Sequence, residues 1–243
     1  MEKRHAILIS FLVTLVIAGN ILFFYDFSSS RENAVIVRVL DGDTVELEDG
    51  RTVRLLNINA PEKNDFFHDE AKSFLKEFEN KSVQVEIKGV DKYNRALGKI
   101  YSQEYINLKI VEEGFAHVYM VEKEEMVRFK DAEKEAFENE SGIWKKSEYY
   151  GCVDVEINKN EETLNILVKC DISLKGWHIK DESTKMYVFG DIISDRVILH
   201  SGKGDDKDNE VYWKIGNVWN DDKDSIFIRD QKGLLAYYDS YGY

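Results

Sequence analysis

Between residues 34 and 57 apolar and polar side chains alternate with a period of two, and two acidic, glycine-containing turns interrupt the alternation. Val35, Val37 and Val39 are expected on one face of a first strand, followed by Asp41-Gly42-Asp43. Val45 and Leu47 mark a second strand, Asp49-Gly50 a turn, and Val53, Leu55 and Asn57 begin a third. A period of two demands strands, and Asp-Gly flanked by alternating apolar residues is a strong hairpin signal. Val83 to Ile87 and Leu97 to Tyr101 add two more strands. Ala71, Phe74, Leu75 and Phe78 recur at helical spacing, Ile106 to Glu113 predicts a short helix stopped by Gly114, and Glu122 to Glu140 predicts a third helix. The segment 31–148 therefore reads as one α+β domain.

Asp41-Gly42-Asp43, taken alone, is most simply another turn. Its company changes that reading. Arg54 follows eleven residues after Asp43, then comes Asn59-Ala60-Pro61-Glu62 with the chain's single proline, and later Asp91-Lys92-Tyr93-Asn94-Arg95. This order of D-G-D-T, R-L-L, N-A-P-E and D-K-Y-N-R over about 31–146 resembles the staphylococcal nuclease family, which reads D-G-D-T, R-L-L with D-T-P-E or D-A-P-E, then D-K-Y-G-R. The resemblance implies a five-stranded barrel of the oligonucleotide-binding type with three helices. It also implies calcium-dependent endonucleolytic hydrolysis of DNA and/or RNA, leaving a 3′-phosphate and a 5′-hydroxyl.

Those residue types suit that chemistry. Hydrolysis of a phosphodiester builds negative charge on its oxygens, and two arginines meet it with bidentate hydrogen bonds that lysine makes less well. By resemblance Arg54 and Arg95 bind the phosphate, and Glu62 positions or deprotonates the attacking water. Asp43, Asn59 and the carbonyl of Ala60 take the calcium positions, and Tyr93 contacts substrate. Position 59 departs from the family: an amide stands where a carboxylate is usual, so weaker metal binding is expected. His68 and His117 are isolated, and strand-end or loop positions account for them.

The chain's net charge is -13, with 19 basic against 26 acidic residues in 31–148. Phosphate contacts dominate nucleic-acid affinity, so this balance disfavours tight non-specific binding and leaves the work to cations local to a site. It also sustains an alternative, a catalytically weak or inactive surface module that binds nucleic acid or protein.

Lys3 and Arg4 precede an uncharged run of 20 residues, Ala6 to Tyr25. As a helix it is about 30 Å long, the thickness of a bilayer core. Its Phe23-Phe24-Tyr25 end reads as an interfacial belt. The expectation is one transmembrane helix with residues 26–243 outside the cytoplasm; cleavage of this run as a signal, giving a secreted protein, is the alternative.

From 149 to 243 the pattern becomes short strands, at 152–157, 163–169, 174–180, 186–189, 196–200, 210–215, 225–229 and 233–238, which predicts an antiparallel sandwich. The strings Gly176 to Asp181, Val197 to Gly202 and Asp224 to Asp230, with Val211-Tyr212-Trp213 and Val218-Trp219-Asn220 between them, resemble a lamin-tail domain. That resemblance implies an immunoglobulin-like fold and a protein or surface partner. The acidic loops 204–210 and 220–224 read as solvated rather than as calcium sites. Cys152 and Cys170 flank a hairpin centred near Glu161, which leaves a cross-strand disulfide and two thiols as the alternatives.

Overall fold

The computed structural model describes residues 31–242, so the expected membrane span at 6–25 lies outside the described residues. Among the described residues no helix is long and apolar enough to cross a membrane. In the first half, strands β1 (Glu32–Asp41), β2 (Thr44–Leu47) and β3 (Thr52–Leu55) are followed by β4 (Ile58–Asn59) and helix α1 (His68–Lys76). Then come β5 (Ser82–Val90), β6 (Ala96–Tyr101), α2 (Ile106–Glu112), β7 (His117–Val118), α3 (Met126–Glu138) and a 3-10 turn at Gly142–Trp144. Five strands close into a barrel in the order β1-β2-β3-β6-β5, and β4 pairs with β7 beside it. Only β3 and β6 run parallel within the barrel, and the stretch carrying α1 and β5 supplies the crossover a parallel pair needs.

The hairpin at Asp49-Gly50 forms as expected: Gly50 takes φ 85, and the Asp49 carboxylate accepts the Arg51 N–H at 3.0 Å. Val35, Val37 and Val39 do not share the one face expected of them. Ala34 and Ile36 face the core, while Val37 is 39% exposed. A register shift between Ile36 and Arg38 then reverses the phase and turns Val39 inward; such a bulge breaks any period-two reading. Asn57, expected on the third strand, lies beyond its end and takes φ 72. The third helix begins at Met126 rather than at 122 because Glu122 and Glu125 fold back onto the buried Lys99, at 3.3 and 2.7 Å. Gly114 ends α2 with φ +74, and a Cβ there would lie 2.3 Å from the Ser141 carbonyl oxygen.

The second half holds two four-stranded sheets. One has the order β13-β12-β9-β8, built from β8 (Val153–Asn158), β9 (Thr163–Val168), β12 (Arg196–His200) and β13 (Glu210–Tyr212). The other, β11-β10-β14-β15, uses β10 (His178–Lys180), β11 (Met186–Val188), β14 (Asp224–Arg229) and β15 (Leu235–Tyr241). Ile166, Val197 and Val211 of one sheet share a buried core with Ile179, Ile228 and Ala236 of the other, around Trp177, Trp213 and Trp219. The sandwich is not wholly antiparallel: β12 and β13 run parallel, since the 201–209 segment carries the chain back to the start of the neighbouring strand instead of turning tightly. Cys152 and Cys170 form a disulfide at the mouth of the β8–β9 hairpin, where Lys169 N–H donates to the Cys152 carbonyl.

The two halves are welded along a seam. Trp144, Ala136 and Ile143 from the first pack with Phe227 and Leu235 from the second. Leu235 exchanges backbone hydrogen bonds with the connecting chain, its N–H donating to the Lys145 carbonyl at 2.9 Å and its carbonyl accepting Ser147 N–H at 2.8 Å.

Candidate active site

Asp43 sits in the turn that opens β2, Arg54 on β3, Asn59 on β4, and Tyr93 and Arg95 on the connection between β5 and β6. These five side chains, with Glu62, line one cleft of about 630 Å³ on the barrel. Ala60, the seventh expected residue, is buried beneath it, and its N–H donates to Asp43 Oδ2 at 3.1 Å. Gly42 permits this arrangement: a Cβ there would lie 2.8 Å from the Cβ atoms of both Ala60 and Ala71, so the acidic turn can press against α1 only without a side chain.

Arg54 organises the floor. Its Nη1 donates to the carbonyls of Leu55 (2.7 Å) and Ile58 (3.0 Å), and its Nη2 donates to Asn59 Oδ1 at 2.9 Å. The same Nη2 lies 3.0 Å from Asp43 Oδ2. Thr44 Oγ1 donates to Asp43 Oδ1 at 2.8 Å, so both carboxylate oxygens are engaged. A planar guanidinium can hold four acceptors in this fork, which an ammonium cannot.

Glu62 is half-buried, and its carboxyl is held above the usual range, first by burial and then by the charges of Asp43 and Asp41, with Lys180 and Arg54 pulling the other way. Arg95 is held from behind: its Nε donates to Asp91 Oδ2 at 2.8 Å, and Asp91 Oδ1 accepts the Arg95 N–H at 2.9 Å. Its guanidinium lies 5.4 Å from the ring centroid of Tyr93, which is 68% exposed. Tyr93 and the exposed Met120 flank the cleft as apolar platforms. His68 is tied to Asp41 and Asp69. His117 is buried on β7, and burial pushes its ring down to about 3.

The oxygens that the resemblance assigns to calcium are all hard donors of the kind that ion takes. The carboxylates of Asp41, Asp43 and Glu62 line one cleft, and an oxygen-ligated cation would relieve their mutual repulsion. Only Asp43 among the three assigned donors is a carboxylate. Among the described residues no group of three or more His, Cys, Asp or Glu is arranged to hold a metal.

The second half of the chain also reaches this cleft, which sequence reasoning missed. Ser183 and Thr184 form part of its wall, and Lys180 Nζ pairs with Asp65 Oδ2 at 3.1 Å just behind Glu62. No local pattern announces contacts between positions more than a hundred residues apart.

A barrel of this strand order with these residues in one cleft is the architecture of a nuclease family, and the chain belongs to it: residues 52–146 match the family described as "Staphylococcal nuclease homologue", and relatives match over most of their length. An "Uncharacterized endonuclease" of Escherichia coli O157:H7 is 35% identical over 115 residues, covering 45% of this chain and 74% of that protein. A "Micrococcal nuclease" of Shigella flexneri is 36% identical over 124 residues, covering 45% and 71%. An "Uncharacterized endonuclease" of Haemophilus influenzae is 32% identical over 123 residues, covering 48% and 68%.

Proposed function

We propose that the protein is a calcium-dependent endonuclease that hydrolyses phosphodiester bonds of DNA and/or RNA. The observation that carries this reading is the meeting of Arg54, Arg95 and Glu62 in one cleft above Asp43. Arg95 meets the phosphate from one side, and Arg54, its Nη groups held by the floor, adds its positive charge from below, so two guanidinium groups offset the charge that grows on the phosphoryl oxygens. The half-buried carboxyl of Glu62 is held above the usual carboxylate range by burial and by Asp43 and Asp41, which makes it a better acceptor for a proton of the attacking water. Asp43, Asn59 and the Ala60 carbonyl would hold calcium, which when bound would supply Lewis-acid polarisation to the phosphoryl oxygen. With one carboxylate among these donors, that binding would be weak. Tyr93 and Met120 suit unstacked bases.

The setting proposed is the extracytoplasmic membrane face, with residues 6–25 as the anchor; the Cys152–Cys170 disulfide is in keeping with an exported domain. The lamin-tail-like strings support a protein or surface partner for the sandwich.

The test is incubation of the full chain with single-stranded DNA in calcium and then in a chelator. Fragments in calcium alone, lost in Glu62→Ala and Arg95→Ala, are the expected result. No cleavage by the folded chain at any calcium concentration would leave the binding-module reading in its place.

A further inference from the structure

Asn59 faces two partners at once. Its Oδ1 accepts from Arg54, while its Nδ2 donates across the domain seam to the Glu182 carbonyl at 3.1 Å. His117 Nε2 donates to that same carbonyl at 2.9 Å. The Glu182 peptide is gripped from behind as well, its N–H donating to Asp224 Oδ1 at 3.3 Å. Asp181, 1% exposed, accepts both the N–H (2.9 Å) and the Oγ (2.7 Å) of Ser183. The 181–185 turn is therefore fixed from the sandwich and from the barrel. It sets Ser183 and the exposed Thr184 into the wall of the cleft that Tyr93 and Arg95 also line.

A carbonyl oxygen only accepts, so the side chain at 59 must offer it an N–H. Asparagine does. An aspartate, usual in the family, would turn a carboxylate oxygen against the Glu182 carbonyl in a buried place, where unmatched acceptors are costly. The departure at position 59 and the docking of the second domain thus explain each other.

We propose that the 181–185 turn is a working part of the cleft: the Glu182 carbonyl is a positioning group that sets Asn59, and the Thr184 hydroxyl binds a phosphate or sugar oxygen of the substrate strand beside the scissile bond. This rests on the nuclease reading. A hydroxyl at the wall suits that task, because most nucleic-acid contacts are hydrogen bonds to phosphate and sugar.

Steady-state cleavage of a single-stranded DNA oligonucleotide by the full chain, together with thermal unfolding midpoints, tests it. Thr184→Val removes only a hydroxyl at an exposed position; KM rises about threefold with kcat retained, as loss of a binding contact requires, and Thr184→Ser restores it. Asn59→Asp lowers the unfolding midpoint and lowers kcat about tenfold, the cost of a misplaced group at the reacting centre. If Asn59→Asp fails to fold, the Thr184 pair carries the test alone. Cleavage by the wild type with both substitutions silent, or with Asn59→Asp faster and equally stable, overturns the inference and leaves the nuclease reading standing. No cleavage by the wild type, which the Glu62 control makes plain, overturns both.

Discussion

Arg54 and Asp43 form a buried ion pair, Nη2 to Oδ2 at 3.0 Å, with side chains 13% and 9% exposed. Removing one partner of such a pair strands the other charge away from water. Arg54→Ala is therefore expected to destabilise the fold by about 3–5 kcal/mol. It also deprives the Leu55 and Ile58 carbonyls of their donor. Urea unfolding checks this, and a loss below about 1 kcal/mol, the range of an exposed pair, contradicts it.

Glu62 and Arg95 bear on chemistry more than on folding, since neither side chain belongs to the buried core. Glu62→Gln and Arg95→Ala should each lower kcat by roughly 10²–10⁴-fold, the span of a lost general base or charge-stabilising donor. Their urea midpoints should stay near wild type. A variant that keeps its activity removes that residue from the mechanism.

His117 predicts an acid limit to stability. Burial, then the charges of Lys180, Arg229 and Arg54, push its ring from 6.5 down to about 3. The unfolded chain takes up this proton near pH 6.5, whereas the folded chain resists until about pH 3. The contribution is complete above pH 6.5 and drains away as pH falls, by up to ~1.4 kcal/mol per unit. The raised carboxyls of Asp181 and Asp224 slope the opposite way, so the informative quantity is the difference between wild type and His117→Gln. That difference should shrink as pH falls from 7 to 4; a constant difference means the ring titrates normally.

The Cys152–Cys170 disulfide closes a loop with a sequence separation of 18. Its removal by Cys152→Ala with Cys170→Ala should cost about 3 kcal/mol through the freedom returned to the unfolded chain. Scanning calorimetry of the oxidised chain with and without reductant reads the same effect, and equal midpoints would argue against any stabilising role.

What the sequence disclosed was local. The Asp49-Gly50 turn, the helix stop at Gly114 and the strand at 163–168 each follow from neighbours within a few positions. The motifs around Asp43, Arg54, Glu62 and Arg95 converge because one barrel brings its turns and strand ends to one mouth. Phase on β1 was lost because a bulge near Val37 leaves no mark in composition. His117 read as an isolated residue because its partner, the Glu182 carbonyl, is backbone and lies 65 positions away. Asn59 read as a weakened ligand for the same reason: the Glu182 carbonyl that explains its amide is 123 positions off.

The bonds Leu235 makes with Lys145 and Ser147 bear on how such a chain can be rebuilt by recombination. A breakpoint near residue 148, which composition suggests, would cut through a ladder whose rungs come from both sides. A transplanted sandwich would arrive with Leu235 facing no carbonyl and Glu182 facing no amide. Changes on either bank of the seam can therefore persist in this chain only when the other bank accommodates them.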